Sequence, residues 1–168
     1  MFKSKYSAHN RKGVINGFSD GKFQPHTEIT RQQAALMVAR ALNLDTNNRP
    51  SPSQTDLSKS MAGYKQISAV IDEGLFDEFI SSSKFDPYKK LTRGEMAAII
   101  SKGFNLKANT SSTKLTDVSS FWGREYVLAL ENNGITLGYS DKTFRPDTSL
   151  TRAHFSIFMA RAMEESFQ

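Results

Sequence analysis

Leu91-Thr92-Arg93 is the middle one of three near-identical tripeptides; Ile29-Thr30-Arg31 lies 62 residues before it and Leu150-Thr151-Arg152 lies 59 after it. Upstream of each stands a Phe-x-Pro at the same two intervals: Phe23-Gln24-Pro25, Phe85-Asp86-Pro87 and Phe144-Arg145-Pro146. Further upstream comes a glycine followed by an aliphatic residue, in Gly13-Val14, Gly74-Leu75 and Gly134-Ile135. Two copies share a turn, Gly17-Phe18-Ser19-Asp20 and Gly138-Tyr139-Ser140-Asp141, where the second copy has Asp77-Glu78-Phe79-Ile80 and a run of serines. So many features in register identify one supersecondary unit repeated three times.

Each unit reads as helix, loop, helix, which predicts an all-α chain. In the third, Asp117 is a candidate N-cap, and Trp122, Tyr126, Val127 and Leu130 recur at helical spacing. Asn132-Asn133-Gly134 supplies the stop, with glycine at the left-handed position. The second helix then carries Phe155, Phe158, Met159, Ala162 and Met163 on one face. Ala34, Met37, Val38, Ala41 and Leu42 repeat that face in the first unit; Met96, Ile99, Ile100, Gly103 and Phe104 do so in the second. Three equivalent faces predict one shared core. Thr92-x-x-Glu95 is a capping box and Thr30-x-x-Gln33 its amide form, whereas His154 breaks the third. Ile29, Leu91 and Leu150 are placed to staple onto the helices that follow them. The polar linkers 45–54 and 105–114 divide a single domain into repeats at about 1–44, 55–106 and 115–168.

Composition excludes several classes. The 168 residues are 38% hydrophobic and 23% charged, an ordinary globular balance with enough chain for one core. No apolar run reaches the roughly 18 to 20 residues of a membrane span. With no cysteine, thiol catalysis, cysteine-ligated zinc and disulfides are all ruled out. Met-Phe-Lys-Ser-Lys-Tyr-Ser at the start lacks the apolar segment of a signal peptide, so the chain reads as intracellular or as a piece of something longer. A net charge of +5 points to a neutral or anionic partner. The basic residues are scattered, without the dense patch or interleaved aromatics of a nucleic-acid binder. His9, His26 and His154 share no metal-ligand spacing, and no catalytic constellation or cofactor motif occurs, so neither an enzyme nor a metal site is expected.

Arg31, Arg93 and Arg152 are the informative residues. Each stands at the first helical position, where a cation opposes the helix dipole. Repeating that choice three times suggests a task. A helix start with free N–H groups beside a guanidinium suits a carboxylate or phosphate. Pairing with a loop carboxylate such as Asp20, Asp86 or Asp141 is the equally weighted alternative.

The combination of Gly-aliphatic, Gly-aromatic-x-Asp-Gly, Phe-x-Pro and Ile/Leu-Thr-Arg-x-Glu over nearly the whole chain resembles the S-layer homology (SLH) domain family. The nearest stretches are Gly13 to Phe23 and Leu115-Thr116-Asp117-Val118 through Trp122. The resemblance implies a non-covalent cell-wall anchor at the cell surface: three motifs in a pseudo-threefold, mostly helical spindle, expected to be monomeric. Its inter-repeat grooves would hold a secondary cell-wall polysaccharide whose pyruvyl ketal supplies the carboxylate. The expected ligand-binding residues are Arg31, Arg93 and Arg152 with the turn residues Gly17, Phe18, Asp20, Gly21, Gly138, Tyr139 and Asp141. A protein-interaction or self-assembly module of a surface layer is the alternative. Against the family pattern, the first copy lacks its front end, the second lacks the Gly-aromatic turn and the third has Thr-Arg-Ala-His. The groove that uses the second repeat's loop is therefore expected to bind least.

Overall fold

The computed structural model describes residues 21–165, with the side chain of Glu165 left out. Five helices form: α1 (Arg31–Ala41), α2 (Tyr64–Asp72), α3 (Arg93–Gly103), α4 (Arg124–Asn132) and α5 (Arg152–Glu165). Among the described residues there is no strand, only three isolated antiparallel bridges, so the chain is all-α as its repeats predict. The first helix expected in the first repeat lies outside the described residues.

The helices α1, α3 and α5 begin where the repeated tripeptide places them. Thr30 and Thr92 close full capping boxes with Gln33 and Glu95. At α5 half the box survives: the His154 N–H donates to Thr151 Oγ1 at 3.3 Å. Ile29, Leu91 and Leu150 are wholly buried, each worth about 1.5–3 kcal/mol of burial. The predicted stripes are buried too, from Ala34 to Leu42, Met96 to Ile100 and Phe155 to Met163, while Gly103 and Phe104 are half-buried. Segment 105–114 is exposed apart from the half-buried Leu106 and Thr113; in 45–54 Thr46, Arg49 and Pro52 are half-buried, and Gln54 is buried and donates to the Ser81 carbonyl at 3.1 Å.

The three segments meet in a closed ring of backbone hydrogen bonds. Ile29 N–H donates to Leu150 O at 2.8 Å, Leu150 N–H to Leu91 O at 2.9 Å, and Leu91 N–H back to Ile29 O at 2.9 Å. One step outward, each helix start donates to a neighbouring repeat's Phe-x-Pro loop. Arg31 and Gln32 bond Lys89 O and Pro87 O; Arg93 and Gly94 bond Thr148 O and Pro146 O; Arg152 and Ala153 bond Thr27 O and Pro25 O. Helix packing crosses repeat boundaries as well. Helix α1 packs on α2 and α3 packs on α4, so each second helix lies against the first helix of the following repeat.

Two sequence assignments change. Asp117 caps no helix: α4 starts later, behind Gly123, and Trp122 precedes it at 51% exposure. The Asp117 carboxylate instead accepts the N–H groups of Phe144 and Arg145, both at 2.7 Å. Asp56 does the same for Phe85 at 2.9 Å and Asp86 at 2.7 Å. Both clamps hold the central residue of Phe-x-Pro at positive φ, 55° at Asp86 and 57° at Arg145, a conformation few residues other than glycine adopt unaided.

Glu95 serves two masters: Oε2 accepts the Thr92 N–H at 3.2 Å, and Oε1 pairs with Arg31 Nη2 at 2.7 Å. Removing its carboxylate leaves the buried Arg31 cation with Asp86, at 3.5 Å, as its remaining counter-ion. Glu95→Ala is expected to cost about 3–5 kcal/mol in urea unfolding, the range for breaking one half of a buried pair. Glu95→Gln should cost clearly less, because Gln33 already performs the capping half of the task in α1.

Candidate functional site

The helix starts offer an anion less than the sequence suggests. In α1 the N–H group of the cap Thr30 goes to Gln33 Oε1, those of Arg31 and Gln32 go to the neighbouring loop, and that of Gln33 goes to Thr30 Oγ1. Helix α3 repeats the pattern through Thr92, Arg93, Gly94 and Glu95. All four orphan donors of each helix are occupied. What remains for a ligand is the guanidinium, not the helix terminus.

Those guanidiniums are buried, with Arg31 at 1% and Arg93 and Arg152 at 5% exposure. Each reaches the neighbouring Phe-x-Pro loop and donates to its phenylalanine carbonyl. Arg31 Nη1 bonds Phe85 O at 2.9 Å, Arg93 Nε bonds Phe144 O at 2.7 Å, and Arg152 Nε bonds Phe23 O at 3.0 Å. Each junction thus combines an arginine and a loop from different repeats. A first-position cation is tolerated because its charge is spent across the junction, away from its own helix axis.

Beyond that shared bond the sites differ. Arg31 meets Glu95 at 2.7 Å, Asp86 at 3.5 Å and the Phe79 carbonyl at 3.2 Å, with its Cζ 5.2 Å from the Phe79 ring centroid. Only its Nε is buried without an acceptor. Here the loop-carboxylate alternative holds, with Asp86 as one of two counter-ions.

Arg93 has no such partner: no carboxylate among the described residues lies within ion-pair distance, and its hydrogen bond is the one from Nε. Its Cζ instead sits 4.8 Å from the Tyr139 ring centroid, 4.6 Å from that of Phe144 and 5.2 Å from that of Phe158. Burial lowers its pKa, and the nearby Arg145 adds to that effect, while Tyr139 and Asp117 act against it. Even so lowered, a guanidinium remains a cation at neutral pH. The result is a desolvated charge in an aromatic box.

Tyr139 from the expected turn therefore reaches Arg93, the arginine of another repeat. Gly138, at φ 74°, is required by space: a Cβ there would meet Leu115 Cδ2 at 2.3 Å and Thr143 O at 2.9 Å. The turn's N–H groups are partly used internally, Gly138 toward Thr136 Oγ1 and Tyr139 toward Thr143 O. Asp141 accepts from Thr143 and pairs with Arg145 at 2.8 Å, which hold its carboxyl down at about 2. At the third junction Arg152 lies 5.1 Å from the Phe23 ring centroid, and burial lowers its pKa. Gly21 is exposed at φ 73°, with open space where a Cβ would stand. Gly17, Phe18 and Asp20 lie outside the described residues. Arg145 and the Asp56 and Asp117 clamps are what sequence reading passed over; the repeated Thr-Asp-aliphatic, Thr55-Asp56-Leu57 and Thr116-Asp117-Val118, was their signal.

The S-layer homology domain pattern matches residues 8–35 and 114–156. These two stretches place the first and third repeats in the S-layer homology domain family. Between the two matched stretches lies the repeat with Asp77-Glu78-Phe79-Ile80 in place of the Gly-aromatic turn. The SLH chain is 31% identical over 158 residues to a cellulosome-anchoring protein of Acetivibrio thermocellus, covering 89% of this chain and 35% of that protein. It is 31% identical over 157 residues to the surface-layer 125 kDa protein of Lysinibacillus sphaericus, covering 90% of this chain and 13% of that protein. A cell wall amidase of Bacillus anthracis is 30% identical over 153 residues, 89% of this chain and 28% of the amidase. The SLH chain thus spans about a third or less of these relatives. Among its described residues no helix is long and apolar enough to cross a membrane, and no group of three or more His, Asp or Glu could hold a metal.

Away from the arginines, Tyr126 of α4 donates to Glu78 Oε1 at 2.8 Å, and Lys102 pairs with the same oxygen at 2.9 Å. Burial first, then Glu78, pushes the Tyr126 phenol up to about 12 from 10.0. A raised acid pKa means this contribution to stability is complete below pH 10 and is lost as pH rises through about 12. Alkaline unfolding monitored by circular dichroism should show that loss, and Tyr126→Phe should flatten it.

Proposed function

We propose that this SLH module anchors its parent protein to the cell wall by holding an anionic, pyruvylated secondary cell-wall polysaccharide at the repeat junctions. One observation carries the reading: Arg93 is a buried cation with no carboxylate beside it among the described residues, walled by Tyr139, Phe144 and Phe158. Burying a charge without a counter-ion costs several kcal/mol, which an incoming carboxylate offsets. Aromatic walls suit the apolar face of a sugar ring and its ketal methyl group. The names of the relatives, a cellulosome-anchoring protein and surface-layer proteins, agree with a wall-anchoring role.

The junctions are unequal under this reading. The second repeat's loop faces Arg31, already neutralised by Glu95 and Asp86, so that junction is the silent one. The cause adds to the one expected from sequence: besides the acidic 77–80 turn, the arginine there has internal partners.

Co-sedimentation with purified wall tests the proposal directly. Binding is expected before, and not after, the pyruvyl ketals are removed by mild acid; binding indifferent to that treatment would favour a protein-interaction or self-assembly module instead. In titrations with a pyruvyl-ketal hexoside, Arg93→Gln should lose about 1.5–3 kcal/mol, the value of a charge-assisted hydrogen bond. Raised salt should weaken the wild type modestly.

A further inference from the structure

The residue at the centre of Phe-x-Pro differs in charge from one junction to the next. At the Arg31 junction it is Asp86, 3.5 Å from the guanidinium. At the Arg93 junction it is Arg145, whose Cζ lies 4.1 Å from the centroid of the same Tyr139 ring that Arg93 approaches at 4.8 Å. Two guanidiniums therefore share one aromatic ring. Arg145 is held there by its backbone: Asp117 Oδ2 accepts its N–H at 2.7 Å while φ stands at 57°. Its side chain is half exposed and carries a counter-ion, Asp141, at 2.8 Å, with Nε donating to Thr143 Oγ1 at 3.1 Å.

We infer that Arg145 is a second cation of the Arg93 site, and that Asp141 is an internal stand-in for the ligand carboxylate, released from Arg145 when the ligand binds. The inference rests on the carbohydrate reading above and assigns its charge selectivity to the central residue of Phe-x-Pro. An exposed ion pair such as Asp141–Arg145 is weak enough to exchange for a ligand, whereas the buried Arg31–Glu95 pair is not. Like-charged groups gathered on one ring raise the local anion concentration, and Arg93, with no carboxylate partner among the described residues, gives the arriving anion a fixed end-point. At the Arg31 junction Asp86 and Glu95 reverse that sign.

Two variants isolate the charges without disturbing the turn. Arg145→Gln places at 145 the residue that Gln24 already supplies in the first repeat, at φ 53°. Asp141→Asn retains Oδ1, the atom that accepts from Thr143 N–H and Oγ1, and loses only the carboxylate's pairing with Arg145. The probes are a 4,6-pyruvyl-ketal methyl hexoside and its neutral methyl ester, titrated calorimetrically into the whole chain. For the acid, Arg145→Gln should weaken binding about tenfold and Asp141→Asn should tighten it about threefold. Both variants should change the ester's affinity far less than the acid's, a separation that general damage to the fold would not produce. Wild-type affinity for the acid in Arg145→Gln, with Arg93→Gln impaired, overturns the inference and leaves the carbohydrate reading intact. If the wild type binds neither probe, both fall.

Discussion

The starts of α1, α3 and α5 are each completed by a different repeat. A helix leaves its first N–H groups without partners, and in an isolated helix–loop–helix unit only water and the cap would satisfy them. Here the Lys89 and Pro87 carbonyls serve α1, Thr148 and Pro146 serve α3, and Thr27 and Pro25 serve α5. Inside that layer Ile29, Leu91 and Leu150 bond one another in a closed cycle. Linear repeat arrays stack each unit on its neighbours and leave two ends to be capped; a closed ring leaves none. The same geometry that completes the helices gathers all three first-position arginines at repeat junctions.

Once at a junction, an arginine can be silenced or left wanting by very few atoms. Arg31 and Arg93 share position, burial and the bond to a phenylalanine carbonyl. Glu95, the third helical residue of α3, reaches back across the ring to Arg31. The residue in that place on α5 is His154, which is exposed, and Arg93 meets aromatic rings in place of a carboxylate. A capping-box residue thus has consequences in the preceding repeat: the charge at one helix start sets the electrostatic state of another repeat's arginine. Scaffold and site are separable in α1, where the guanidinium is fully engaged as a strut, and superposed in α3.

Much of this was legible from the chain. The tripeptide and Phe-x-Pro spacing located α1, α3 and α5, their caps and their buried faces, because those features depend on residues within one turn of each other. The partner of each arginine was not legible, since Arg31 to Phe85 and Arg93 to Phe144 span 54 and 51 residues. Nor did spacing show that the free N–H groups expected at the helix starts would be taken by loops from elsewhere. Asp117 was misplaced for a related reason. An aspartate before an apolar run reads as a cap by local rules, but its two oxygens are drawn to a loop further along the chain. Of the candidate site residues, Arg93 and Tyr139 come together, Asp141 joins them through Arg145, and Arg31 belongs to a closed junction.

Arg93 itself is the strongest reason to look for a ligand. A hydrophobic side chain of similar volume would pack between Tyr139, Phe144 and Phe158 without the desolvation cost of a guanidinium. The bond from Nε to Phe144 O recovers part of that cost, as the equivalent contacts do at Arg31 and Arg152. At Arg31 the remainder is recovered by Glu95 and Asp86. At Arg93 no carboxylate among the described residues pairs with it, and Arg145, which shares the Tyr139 ring, is of the same sign. The fold thus contains a neutralised version of this junction beside one with no counter-charge among the described residues, and that contrast is what the carbohydrate proposal rests on.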